Sequence, residues 1–203
     1  GDAAIGFTGM DFETAVRERI PIYLAAVGPR NLELAGEIAD GWLAIFFDPD
    51  HSAELLGHIR AGREKAGLDM TGFDVVPTVP VIIGDDIEAC ANPVRAYCAL
   101  YIGGMGSREK NFYNQLACRM GYEDAAAEVQ ERFLARDYFA AMAALPLEFL
   151  DATALLGPVE RIAAKMAALR DAGVTTLAVA LPDGTLEERM EHVRAAARAF
   201  SSI

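Results

Sequence analysis

The chain has 203 residues, 53% of them hydrophobic, with 30 acidic against 18 basic side chains and a net charge of -12. That apolar content is ample for a buried core and excludes a disordered chain. The negative balance opposes a polyphosphate backbone, and Arg60, Arg63 and Lys65 are interleaved with Glu64 rather than gathered into a patch, so no nucleic-acid partner is expected.

Residues Ile22 to Val27 read as a buried strand that ends at Gly28-Pro29. A helix follows from about Pro29 to Ala39, with Pro29 tolerated in the first turn and Leu34, Ala35 and Ile38 expected on the core face. Gly41 to Phe47 is a second strand. Asp48 as N-cap and Pro49 at the first helical position then open a helix that ends near Ala66-Gly67. Val75 to Ile83 is a third strand, which Pro77 and Pro80 are expected to demote in part to an edge. A helix from Ile87 to Tyr101 leads to residues 107–150, which carry no strand signal. Helical pieces near Lys110 to Met120, Glu123 to Leu134 and Phe139 to Ala144 make that stretch an insertion. Gly157-Pro158 starts a helix with Ile162, Met166 and Leu169 on one face, Gly173 stops it, and Val174 to Leu181 is a fourth strand. Thr185 and Glu188 are spaced as a capping box for the last helix.

Strands alternating with helices imply parallel pairing with right-handed crossovers. Four such strands make either a small open sheet or half of an eight-stranded barrel, within a single domain over residues 1–203. Cys90, Cys98 and Cys118 form no CxxC pair and suit a reducing cytoplasm. No apolar run approaches the roughly 20 residues of a membrane span, so no membrane partner is expected. The chain starts at Gly1 without an initiator Met, as a processed, tagged or partial sequence would.

Ligands of parallel α/β proteins sit beyond the C-terminal ends of the strands, where helix N-termini aim free N–H groups outward. Ala25, Ala26, Val27, Gly28, Pro29 and Arg30 lie at such an end. Two readings of them stand: a phosphate seat with Arg30 as an added contact, or a tight strand-to-helix turn with Arg30 in solvent. The glycine-rich stretch Tyr101 to Gly106 follows a helix and is no dinucleotide fingerprint. Its plain reading is a helix end, and its alternative a binding loop in which Tyr101, Met105 and Arg108 line a flat aromatic ligand. Asn111 to Asn114 reads as core of the insertion. Asp85-Asp86 and Glu187-Glu188 read as caps. His51 alone of the histidines lies near a strand's C-terminal end, where it could act as an acid or base, and no metal-ligand spacing is present.

Together, Pro21 to Arg30, Leu34 to Trp42, Tyr101 to Gly106 with Asn111 to Asn114, and Gly173 to Leu177 resemble the luciferase-like monooxygenase superfamily, in its coenzyme F420-dependent oxidoreductase branch. The resemblance runs from about Ile20 onward and implies the second half of a TIM-type (β/α)8 barrel, with the helical insertion between the last two strands. It also implies that Ala25 to Arg30 hold the phosphate-bearing tail of coenzyme F420, with FMN as the alternative cofactor. The activity implied is hydride transfer between that cofactor and a small organic substrate. No catalytic acid or base is singled out. Because the first four strands have no counterpart, the chain is expected to be incomplete alone, either assembling as a homo-oligomer or associating with a complementary half-barrel. A non-catalytic truncated paralogue or partner subunit is the alternative.

Overall fold

The computed structural model describes residues 19–203. Five parallel strands form one sheet: β1 (Tyr23–Leu24), β2 (Gly41–Ala44), β3 (Asp74–Ile83), β4 (Leu155–Gly157) and β5 (Ala178–Ala180). The order is β1-β2-β3-β4, and β5 also pairs with β3. β3 changes partner along its length, taking β2 over Asp74 to Pro77, β5 over Thr78 to Pro80 and β4 over Val81 to Ile83. It is thus the central strand, not the edge expected from its prolines. Pro77 and Pro80 each fall on the last residue of one pairing segment, where a missing N–H interrupts no continuing ladder.

The helices are α1 (Pro29–Ile38), α2 (Ser52–Lys65), α3 (Ile87–Ala99), α4 (Phe112–Arg119), α5 (Glu123–Leu134), α6 (Tyr138–Ala143), α7 (Leu147–Ala152), α8 (Val159–Asp171) and α9 (Leu186–Ser201). A short 3-10 turn at Pro49–His51 precedes α2, and a π-helical turn at Leu100–Gly104 extends α3. The insertion is helical as expected. It lies between the third and fourth of five strands rather than between the last two, because the three-residue β4 is too short to carry a sequence signal. The first and fourth expected strands shrink to Tyr23–Leu24 and Ala178–Ala180. The capping expectations hold: Asp48 and Asp86 accept N–H groups of the following turns, and Thr185 with Glu188 closes a capping box.

The core face of α1 differs from the helical-wheel expectation. Leu32, Ala35 and Gly36 are buried, whereas Leu34 and Ile38 are exposed. The reason is α2, which meets α1 through glycine: a methyl group on Gly36 would overlap the Ile59 carbonyl, and one on Gly62 would overlap the Glu33 carbonyl. Backbone-to-backbone approach of this kind decides which side of α1 is covered, and Lys65 adds an ion pair to Glu33 at its edge.

Alternation along the strands and their register place Trp42, Ala44, Val75, Pro77 and Val79 on one face of the sheet. All five are buried. Leu43, Val76, Thr78 and Pro80 lie on the other face, where Leu43 is 40% exposed and Thr78 is open to solvent. Beyond β2, Phe46 takes a left-handed backbone conformation (φ 49°), costly for a bulky residue, and drives its ring among Tyr97, Tyr101 and Phe149. Asp151 at the end of α7 is gripped by α8: both Arg161 guanidinium nitrogens reach its carboxylate at 2.8 and 2.7 Å, and Lys165 joins at 2.8 Å. Burial works to raise the Asp151 pKa, but these cationic donors outweigh it and hold the carboxyl below its ordinary value.

Two outcomes follow for stability. Gly62→Ala is expected to cost about 2–3 kcal/mol by overpacking, read as a lower denaturation midpoint in urea, while Gly57→Ala, which meets open space, should not lower it. The Asp151 contribution is present in full above the ordinary carboxyl value of about 4 and is lost as pH falls through its lowered value. Acid titration should therefore unfold wild type more steeply below that point than Asp151→Asn, and parallel curves would refute the assignment.

Candidate functional site

The Gly28-Pro29 turn sits where β1 gives way to α1. Gly28 is the N-cap with extended backbone (φ -83°, ψ 153°), Pro29 occupies the first turn, and no side chain caps the helix. The Gly28 carbonyl accepts the Asn31 and Leu32 N–H groups, each at 3.0 Å, and so begins the helical ladder. Among the described residues the Gly28 N–H meets no acceptor. The preceding carbonyls are taken by side chains from elsewhere: the Trp42 indole Nε1 donates to Ala26 O at 2.8 Å, and Arg119 Nη2 donates to Val27 O at 3.3 Å. Phe112 lies over the glycine, at ordinary van der Waals distance from the place a Cβ would occupy.

Of the six turn residues singled out by sequence, Ala26 is buried, Val27 and Gly28 are half-buried, and Ala25, Pro29 and Arg30 are exposed. The structure therefore leaves one backbone donor of the turn, the Gly28 N–H, unengaged among the described residues, and leaves the Arg30 side chain in solvent. Trp42 and Arg119, which hold the turn, were not singled out. Arg119 lies 92 residues further on, and no sequence spacing connects it with Val27.

The glycine-rich stretch is mainly a packing device. Methyl groups on Gly103 or Gly104 would overlap the Phe133 ring, so α5 can lie directly on the π-helical turn. Asn111 fastens the same region: its Nδ2 donates to Tyr101 O and Ile102 O, each at 2.9 Å, and its Oδ1 accepts the Tyr113 and Asn114 N–H groups, each at 3.0 Å. Tyr101 stacks among Tyr97, Tyr113 and Phe46, while Met105 and Arg108 are exposed.

Against the face of β3 and the C-terminal end of β5 lies an apolar cleft of about 150 Å³, walled by Pro80, Ile82, Val94, Tyr97, Leu181 and Pro182. Burial and the neighbouring tyrosines push the Tyr97 hydroxyl well above its ordinary pKa, so it remains a neutral donor at physiological pH. A second, more polar cavity of about 430 Å³ opens near the 3-10 turn, where His51 Nδ1 lies 2.7 Å from the buried Asp48 carboxylate, and it extends to Tyr122 and Lys165. His192 Nδ1 accepts the Ile83 N–H at 3.3 Å, a packing role. Burial raises the pKa of all three cysteines, which are free thiols. Among the described residues no three His, Cys, Asp or Glu side chains gather as a metal set, and no helix is long and apolar enough to cross a membrane.

Asn111→Ala is expected to destabilise the fold by about 2 kcal/mol, since a helix cap and two carbonyl contacts go together. Asn111→Asp keeps the cap but loses the donors, so thermal melts should place it between wild type and Asn111→Ala.

Comparison with known proteins agrees with this architecture. A Mycobacterium tuberculosis protein named as a coenzyme F420-dependent oxidoreductase is 37% identical over 169 residues, covering 81% of this chain and 48% of its own. The 5,10-methylenetetrahydromethanopterin reductase of Methanolobus tindarius is 28% identical over 172 residues, covering 84% and 51%. The solved coenzyme F420-dependent tetrahydromethanopterin reductase of Methanopyrus kandleri superposes with a TM-score of 0.68 at 23% identity, over 89% of this chain and 49% of that one. The chain thus spans about half the length of the curated relatives it matches, and its parallel βα units correspond to part of a barrel. The family model described as luciferase-like monooxygenase matches residues 4–176, and the chain belongs to that family.

Proposed function

We propose that this chain forms the cofactor-tail half of a coenzyme F420-dependent oxidoreductase, which passes a hydride between the deazaflavin and a small organic substrate in the cytoplasm. The observation that carries the reading is the Gly28-Pro29 turn: an uncapped helix N-terminus at a strand's C-terminal end, with the Gly28 N–H unengaged among the described residues. Backbone donors and the positive end of the α1 dipole are chemistry that suits a phosphate. The 37% identity to a protein named for coenzyme F420 supports that cofactor over FMN.

The residues fit the remaining parts of such a site. With its tail held at the turn, the bound coenzyme would supply the hydride donor or acceptor through its deazaflavin, which no side chain of the chain can replace. The cleft of Pro80, Ile82, Val94, Leu181 and Pro182 would exclude water from the reacting atoms, and the Tyr97 hydroxyl would offer a neutral hydrogen bond to a polar group of the substrate. The exposed Leu43 and Thr78, on the face opposite Trp42, would be covered by a complementary half-barrel, completing the enclosure needed for catalysis.

The expected result is binding of coenzyme F420, followed by its absorbance near 420 nm, with weaker retention of FMN near 450 nm. Arg30→Ala should weaken coenzyme F420 binding about threefold, the size of an exposed charge contact. A purified protein without affinity for either chromophore would leave the non-catalytic partner subunit as the surviving reading.

A further inference from the structure

We infer that Arg119 is the positioning residue of the turn: from the helical insertion it holds the Val27 carbonyl so that the Gly28 N–H faces the anionic tail of the bound cofactor. The inference rests on the reading of the turn as the seat of that tail. It assigns the tail's orientation to a residue outside the turn.

A trans peptide is planar, and its C=O and N–H point in opposite directions. Arg119 Nη2 donates to Val27 O at 3.3 Å, which draws that carbonyl toward α4 and turns the Gly28 N–H away from α4. The peptide before it is pinned in the same manner, since Trp42 Nε1 donates to Ala26 O at 2.8 Å. Two consecutive peptide planes are therefore set from two different elements, β2 and α4, neither of which is adjacent to the turn in sequence. Val27 and Gly28 lie outside the β1 ladder, which ends at Leu24, so these side chains do what strand pairing does elsewhere. Donors already aimed before an anion arrives need no reorganisation on binding.

The same helix adds a second contact. Phe112, one residue past the Asn111 cap, packs on Gly28, so both ends of α4 touch the turn. Arg30, by contrast, is exposed. The insertion is thereby coupled to the cofactor seat, and the arginine that orients the seat comes from the insertion.

The test compares coenzyme F420 with its chromophore lacking the phosphate-bearing tail, using quenching of Trp42, the sole tryptophan, as the readout. Arg119→Ala should weaken coenzyme F420 binding about tenfold and leave the tail-less compound unchanged. Arg119→Lys, which keeps a donor on a long stem, should recover most of the loss. In wild type, NMR titration with coenzyme F420 should shift the Gly28 amide resonance, a measurement that needs no variant to fold. Unchanged coenzyme F420 affinity in Arg119→Ala, or an equal loss for both compounds, would overturn the inference while leaving the cofactor reading in place, whereas an unmoved Gly28 amide on binding would overturn both the inference and the turn as the seat of the tail. Failure of wild type to bind coenzyme F420 would instead overturn the cofactor reading and the inference with it.

Discussion

β3 carries the sheet. Its ten residues are bonded in succession to β2, β5 and β4, so three of the four other strands take their place from it, and β1 takes its place from β2. A parallel strand buried this way reads as a nearly continuous apolar run, and Val75, Val79, Val81 and Ile82 supply it. The two prolines are compatible with this role because the strand changes neighbours where they occur. The cleft on its face is a direct consequence, since Pro80 and Ile82 face the same side as Thr78 and meet α3 returning over them.

Glycine determines how closely the outer elements approach. α1 and α2 touch through Gly36 and Gly62, and α5 lies on the π-helical turn through Gly103 and Gly104. At none of these four sites is a left-handed backbone the reason. Space is. The first contact orients α1, whose N-terminus is the proposed anion seat, and the second anchors the insertion, whose α4 reaches back to the turn. Packing that looks remote from the site thus sets both the direction of the α1 dipole and the position of the side chains around it.

Much of this was readable from residue patterns. The alternation of strand and helix, the caps at Asp48, Asp86 and Thr185, the helical insertion and the turn at Gly28-Pro29 all depend on neighbours within a few residues, where local physics acts. Three features were not. β4 is too short for periodicity to show, the buried side of α1 was chosen by α2 rather than by its own leucines, and the centrality of β3 depended on partners 74 and 100 residues away in sequence. In the candidate site, the strand-to-helix turn at Gly28-Pro29 was read from sequence, whereas the contacts of Trp42 and Arg119 to it were not. A hydrogen bond from a side chain to a distant carbonyl leaves no spacing to read.

The sequence by itself determined the class of fold, the family and the position of the strand-to-helix turn proposed as the anion seat, because composition, capping and strand-to-helix turns are encoded locally. Only the tertiary structure decided which arginine attends that stretch. Arg30 is nearest along the chain but exposed, while α4 delivers Arg119 to the Val27 carbonyl. Contacts between distant segments depend on how the elements pack, and that packing was set by close glycine approaches whose partners no local pattern names.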